Sequence, residues 1–216
     1  FLKDHGYFTA QLGWVYFEID TTGGPNTSEI TGVVDPFIFG GLDERQRISK
    51  ITVRPTYSFQ EANTVNDSTR TVHGIDVLQN DRLFRPGFLD EQIYLERGAF
   101  YDQNLLRTTY KNLSSLGVFQ TVEVNVQPKD NALHATLNLV PLPKRSVSAN
   151  LEGLGNSGSL GVGGSFNWDN RNLFKGGETL RLSLGGALTE QRNSSSTSWL
   201  IDARELNAGV SLHLPK

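Results

Sequence analysis

The chain has no cysteine among its 216 residues. A disulfide framework, a thiol nucleophile and a thiolate metal site are therefore excluded. It also lacks the unbroken run of ~18–20 apolar residues that a membrane-crossing helix requires. Any passage through a bilayer would have to be made by strands. Acidic residues are only slightly in excess: 20 Lys and Arg stand against 23 Asp and Glu, a formal net charge of −3. That balance gives no ground for expecting nucleic-acid binding. The four histidines, His5, His73, His134 and His213, are scattered without a metal-ligand spacing.

Motifs for catalysis are equally sparse. No Gly-x-Ser-x-Gly elbow stands between a strand and a helix. The segment EGLGNSGS at 152–159 resembles a phosphate loop superficially. It lacks a following helix and a Lys-Ser/Thr pair, so it reads as a hairpin loop. The carboxylate pairs Asp43/Glu44 and Asp90/Glu91 are adjacent in sequence. Adjacent residues diverge on a helix, so these pairs read as solvated faces. The expectation is a protein without enzymatic activity, cofactor or metal.

What the chain does have is a change of hydrophobic period near residue 145. After it come four segments of strict apolar/polar alternation. In 146–152, Val147, Ala149 and Leu151 oppose Ser146, Ser148 and Asn150. In 160–168, Leu160, Val162, Phe166 and Trp168 oppose Gly161, Gly163, Ser165 and Asn167. In 180–188, Leu180, Leu182, Leu184 and Leu188 oppose Arg181, Ser183 and Ala187. In 206–214, Leu206, Ala208, Val210 and Leu212 oppose Asn207, Ser211 and His213. Segments of about ten residues with one apolar side and one small or polar side are the pattern of a transmembrane β-barrel wall. Val162, Phe166, Trp168, Leu180, Leu182, Leu184, Leu206, Val210 and Leu212 are accordingly expected to face lipid. A closed barrel needs about eight strands or more, and an open sheet edge is not tolerated in lipid. The expectation is a piece of a longer protein.

Before residue 145, helix and strand patterns alternate. Residues 1–8 read as the last turn of a helix stopped at Gly6 in a left-handed cap. Strand patterns follow at Trp14–Ile19 and Ile30–Phe39. From 46 the order is β-α-α-β-β: a strand in 46–59 with Ile51, Val53, Tyr57 and Phe59; a polar stretch at about 60–86 that reads as an insertion; a short helix over Phe88–Glu96; a second helix capped by Asp102, carrying Leu105, Leu106, Tyr110, Leu113 and Leu116 and ended by Gly117; and two strands, Val122/Val124/Val126 and Leu133/Ala135/Leu137/Leu139, joined by a turn at Pro128–Asn131. HGYFTAQL at 5–12 echoes LGVFQTVEV at 116–124, which suggests tandem modules with the first cut short.

Three segments carry a family resemblance: RISKITV at 47–53, LERGAFYDQNLLRTTYKNLSSLGVFQTVEVNVQP at 95–128, and LHATLNLVP at 133–141. Together with SLGVGGSFNWDNRNLFKGGETLRLSLGGAL at 159–188, they resemble the POTRA-plus-barrel proteins of the outer-membrane β-barrel assembly superfamily (BamA/TamA-like), most closely in a Bacteroidota flavour. The family's late Arg-Gly-aromatic loop is absent, and 20–45 fits a POTRA hairpin only with an insertion. The resemblance implies α+β POTRA domains followed by the first strands of an antiparallel transmembrane β-barrel. Residues 1–45 would be the C-terminal part of one POTRA domain, 46–142 the last POTRA domain, and 143–216 four barrel strands. The implied function is assembly of outer-membrane proteins, with POTRA domains in the periplasm. The implied partners are unfolded outer-membrane protein clients, the lipid bilayer, and periplasmic or lipoprotein accessory subunits. Phe119, Thr121, Glu123 and Asn125 would form a client-binding edge strand, and Ser146, Val147, Ser148, Ala149, Asn150 and Leu151 a lateral-gate strand. A two-partner secretion transporter and the POTRA-barrel tail of a patatin-like phospholipase are alternative readings.

Overall fold

A computed structural model describes residues 2–10, 15–22, 28–35, 44–57, 68–79, 83–156, 159–192 and 199–215. Trp14, the Pro36–Phe39 end of the second apolar run, Phe59 of the expected strand, and residues 60–67 and 80–82 of the expected insertion lie outside the described residues. Among the described residues no helix is long and apolar enough to cross a membrane. Most elements are antiparallel strands.

The chain begins with a 3-10 turn, Leu2–His5, closed by Gly6 at φ +99°. This is the left-handed stop expected from sequence, where a side chain would be strained. The Gly6 carbonyl accepts from Gln46 N at 2.8 Å, and Phe8 packs edge-on against Tyr101 at 5.1 Å. A two-stranded sheet of β1 (Val15–Asp20) and β2 (Glu29–Val34) follows.

The central unit is a five-stranded sheet in the order β4-β5-β3-β7-β6. Its strands are β3 (Ile48–Arg54), β4 (Ser68–Val72), β5 (Ile75–Gln79), β6 (Phe119–Lys129) and β7 (Ala132–Pro141). Strand β3 runs parallel to both β5 and β7. Two helices, α1 (Pro86–Glu91) and α2 (Gln103–Ser115), separate β5 from β6. The core gathers Ile48, Ile51 and Val53 of β3, Leu133, Leu137 and Leu139 of β7, Leu89 of α1, Leu113 of α2 and Phe84.

Three sequence expectations change here. Much of the supposed insertion is the hairpin β4–β5, which widens the sheet. Ile75, Val77 and Gln79 alternate inward, and the turn residues His73 (φ +45°) and Gly74 (φ +88°) both take positive φ. That backbone matches the right-handed strand twist in two-residue hairpins. Asp130 and Asn131, at φ +51° and +63°, close β6–β7 in the same way. The first helix is shorter than expected, Pro86–Glu91 rather than 88–96. Pro86 favours its start, while Ile93 and Leu95 are drawn into the core outside it. Helix α2 buries Leu113 and, at its end, Leu116, but leaves Leu105 and Tyr110 exposed. Thr109 takes the inward place, its Oγ1 accepting from Tyr94 N at 3.0 Å. Asp102 caps α2 as expected, accepting from Asn104 N and Leu105 N.

The second large sheet, called the second sheet below, is four-stranded and antiparallel, in the order β11-β10-β9-β8. Its members are β8 (Arg145–Asn156), β9 (Ser159–Arg171), β10 (Thr179–Arg192) and β11 (Trp199–His213). The first three run past both ends set by their alternation, and β11 begins well before its own and stops at His213, because backbone pairing continues where the side-chain pattern fades.

Candidate functional site

The register of the second sheet turns four separate alternations into two continuous faces. In an antiparallel ladder, residues directly opposite one another share a face. Val147 stands opposite Trp168, which stands opposite Leu182, which stands opposite Val210. The next row is Ala149, Phe166, Leu184 and Ala208, and the next Leu151, Gly164, Gly186 and Leu206. Val162 lies opposite Leu188, and Leu180 opposite Leu212. All nine residues expected to face lipid therefore lie on one side. Most are exposed, with Leu206 at 90% and Val210 at 75%. Trp168 and Leu180 are half-buried. An apolar face this large, open to the surroundings, is unlike that of a water-soluble monomer.

The opposite face is polar. Its rows are Ser146/Asp169/Arg181/Ser211, Ser148/Asn167/Ser183/Gly209 and Asn150/Ser165/Gly185/Asn207. At one end it holds an ion cluster. Arg181 Nε donates to Asp169 Oδ1 at 2.7 Å and Arg181 Nη2 to Asp169 Oδ2 at 3.1 Å. Arg171 Nη2 donates to the same carboxylate at 3.3 Å. Arg171 Nη1 also donates to Ser146 Oγ at 2.9 Å and to Pro143 O at 3.3 Å, and Arg171 N donates to Lys144 O at 2.7 Å. Asp169 is buried, so its charge is balanced within the cluster, as a desolvated carboxylate requires.

The expected gate residues Ser146–Leu151 all lie in β8. Among the described residues β8 pairs only with β9, leaving its outer edge without a strand. The expected client residues lie in β6, which is likewise an edge, pairing with β7 alone. Thr121, Glu123 and Asn125 are exposed, and Glu123 accepts from Asn138 Nδ2 at 3.1 Å. Phe119 differs from the other three. Its side chain is buried, 5.0 Å from the Phe84 ring, so it belongs to the core and offers the edge only its backbone. Beside the edge, Val122, Glu123 and Val124 form with Gln103, Leu106, Arg107 and Tyr110 of α2 a groove of about 390 Å³.

The two sheets meet at the β9–β10 turn, residues 172–178. Asn172 Nδ2 donates to Leu83 O at 2.7 Å, and Arg85 N donates to Lys175 O at 2.8 Å. Glu178 accepts from Arg85 Nη2 at 3.2 Å, from Phe174 N at 3.1 Å and from Gly176 N at 3.0 Å. A Cβ on Gly177, at φ +78°, would stand 2.7 Å from Phe88 Cζ. Burial alone would raise the Glu178 pKa. The amides of Glu178, Gly176 and Phe174 and the Arg85 charge outweigh it and hold the carboxyl below its usual value. The turn is thus a fitted contact between α1 and the second sheet.

Asp169, Arg171, Arg181, Arg85 and Glu178 were not candidates from sequence. The Arg171–Asp169 pair and the Glu178 contacts with Phe174 N and Gly176 N are local, but Arg181–Asp169, Arg171–Ser146 and Arg85–Glu178 join different elements that only the fold brings together. In sequence, four of them lie within the segment 159–188 that carries the family resemblance, where only Arg181 was marked, as a residue of the polar side. Of the histidines, His73 Nδ1 pairs with Asp90 Oδ2, and among the described residues no group of three or more His, Asp or Glu suited to a metal occurs.

No family model matches the chain, and no curated protein matches it. Among solved structures it is similar to BamA from Haemophilus ducreyi, in a crystal structure lacking POTRA domains 1–3. The TM-score is 0.48 and the identity 16%, over 90% of this chain and 35% of that one. It is also similar to CdiB from Acinetobacter baumannii, with a TM-score of 0.47 and 13% identity, over 98% of this chain and 31% of that one. The chain spans about a third of the length of either structure.

Proposed function

We propose that this chain belongs to the outer-membrane β-barrel assembly superfamily and contributes the last periplasmic module and the opening wall of a protein that inserts or translocates outer-membrane proteins. Residues 46–142 act as the last POTRA domain, 1–45 as the end of the one before it, and 143–216 as the first four barrel strands. The observation that carries this reading is the two-faced sheet of β8–β11: apolar and exposed in register on one side, polar and charged on the other, joined within a few residues to an α+β unit. Lipid on one side and a watery interior on the other would satisfy both faces.

The mechanism follows from backbone accounting. Amides and carbonyls cannot be left unpaired in hydrocarbon. An unfolded client first adds an extended segment to the β6 edge, where main-chain hydrogen bonds give affinity with little demand on sequence. The groove beside α2 receives its side chains. The client strand then passes to the outer edge of β8, which templates its pairing at membrane depth. Neither cofactor nor nucleotide is needed, because each step exchanges one set of hydrogen bonds for another.

The test is a lock. A disulfide from Ser148→Cys to the final strand of the full-length barrel should abolish client insertion into liposomes and leave the barrel folded, with activity restored by reductant. Insertion at the wild-type rate in the locked, folded protein would remove the gate from the mechanism.

A further inference from the structure

The β8–β9 ladder is divided into two halves by its cross-strand partners. The six rungs from Arg145–Asn170 to Asn150–Ser165 contain no glycine. In the next five, Leu151–Gly164, Glu152–Gly163, Gly153–Val162, Leu154–Gly161 and Gly155–Leu160, every rung has one. A glycine in a pair removes the side-chain contact that stabilises that rung and leaves the backbone freer. The glycine-free half is also the one that carries the ion cluster. Arg171 ties Ser146 Oγ, Lys144 O and Pro143 O to β9, and through Asp169 to Arg181 of β10.

We infer that β8 is a hinged strand, in which residues 145–150 are a fixed base held by Arg171 and residues 151–155 are the segment that bends when the edge opens. The functional side of this inference rests on the assembly reading given above. Arg171 acts as a positioning residue that touches no client. It keeps the segment leaving the α+β unit and the foot of β8 in one place, so that motion is confined to the glycine-bearing half. Gly153 and Gly155 are well placed to serve that motion, because a Cβ on either would meet nothing within 4 Å. Their lack of a side chain is therefore not forced by packing. Gly161 differs: a Cβ there would meet Leu188 O at 2.6 Å, so its smallness serves the β9–β10 contact as well.

Hydrogen exchange on the full-length protein in detergent or lipid tests the hinge without reference to clients. Protection factors at 151–155 should be at least tenfold lower than at 145–150. Arg171→Gln should lower protection at 145–150 towards that of the far half. Gly153→Ala with Gly155→Ala, which fits the space present, should raise protection at 151–155 and slow client insertion severalfold. Uniform protection along β8, or a base unaffected by Arg171→Gln, would overturn the hinge. Stiffening of 151–155 with insertion unchanged would overturn its place in the cycle. A wild-type protein that shows the gradient yet inserts no client would instead count against the assembly reading and leave the hinge standing.

Discussion

At Glu178, burial and hydrogen bonding pull the carboxyl in opposite directions, and hydrogen bonding wins. A carboxyl whose folded pKa lies below its unfolded one stabilises the fold above the unfolded value, about 4.3 for Glu. That contribution is lost as the pH falls through the lower folded value. The docking of the 172–178 turn should therefore be intact at neutral pH and loosen in acid, below the ordinary Glu range. Cross-linking between α1 and the turn across a pH series reads this directly. Glu178→Gln should weaken the docking at pH 7 and flatten its acid dependence, and unchanged acid sensitivity in that variant would assign the effect to another group. Leu113 and Leu182 make a contrasting pair. Leu113 is fully buried in the α+β core, so Leu113→Ala should cost ~2–5 kcal/mol in a urea titration of that unit. Leu182 faces outward on the apolar side, and Leu182→Arg should cost ~2–4 kcal/mol of barrel stability in lipid if it lies near the midplane. Arginine at Ser183, on the polar side, should cost far less.

Among elements, the legible ones are those whose chemistry repeats along the chain. The wall strands could be read because each alternates for at least seven residues and the large apolar residues of those stretches fall on the same side, with Ala187 alone on the other. Asp102 could be read because a cap needs only its own neighbours. The β4–β5 hairpin could not. Its inward residues Ile75, Val77 and Gln79 are few, one of them is polar, and its turn is His73–Gly74 rather than a pair that announces itself. Gln79 earns its inward place only through a local partner, its Nε2 donating to Phe84 O at 2.9 Å. The exposure of Leu105 and Tyr110 on α2 was hidden for another reason: helical spacing admits a wider stripe than this sheet covers. A consequence follows for the β9–β10 turn. Gly177→Ala combines a strained φ with a 2.7 Å approach to Phe88, so it should undock the turn. Increased hydrogen exchange at 83–91, with the β6–β7 hairpin unchanged, would record it.

On the scale of the whole molecule, two chemically different sheets are joined by a short segment and by one fitted turn. The α+β unit keeps most of its apolar residues inside, as water requires, and leaves Leu105 and Tyr110 of α2 exposed. The second sheet keeps an apolar face outside, which under the proposed reading the bilayer covers. The site could be read from sequence only as faces and edges. The ion cluster of Asp169, Arg171 and Arg181 and the glycine-divided ladder depend on register, which alternation alone does not supply, because a slip of two residues preserves every face. The central proposal is that strands β8–β11 form a bilayer-facing wall, and the absence of cysteine allows it to be tested one label at a time. Spin labels at Leu182→Cys, Leu206→Cys and Val210→Cys, and at Ser183→Cys, Asn207→Cys and Ser211→Cys, can be compared in the full-length protein reconstituted in lipid. The first three should collide with oxygen dissolved in the bilayer and the second three with a water-soluble relaxant. Equal access of the water-soluble relaxant to both sets, or a reversal between them, would contradict the account.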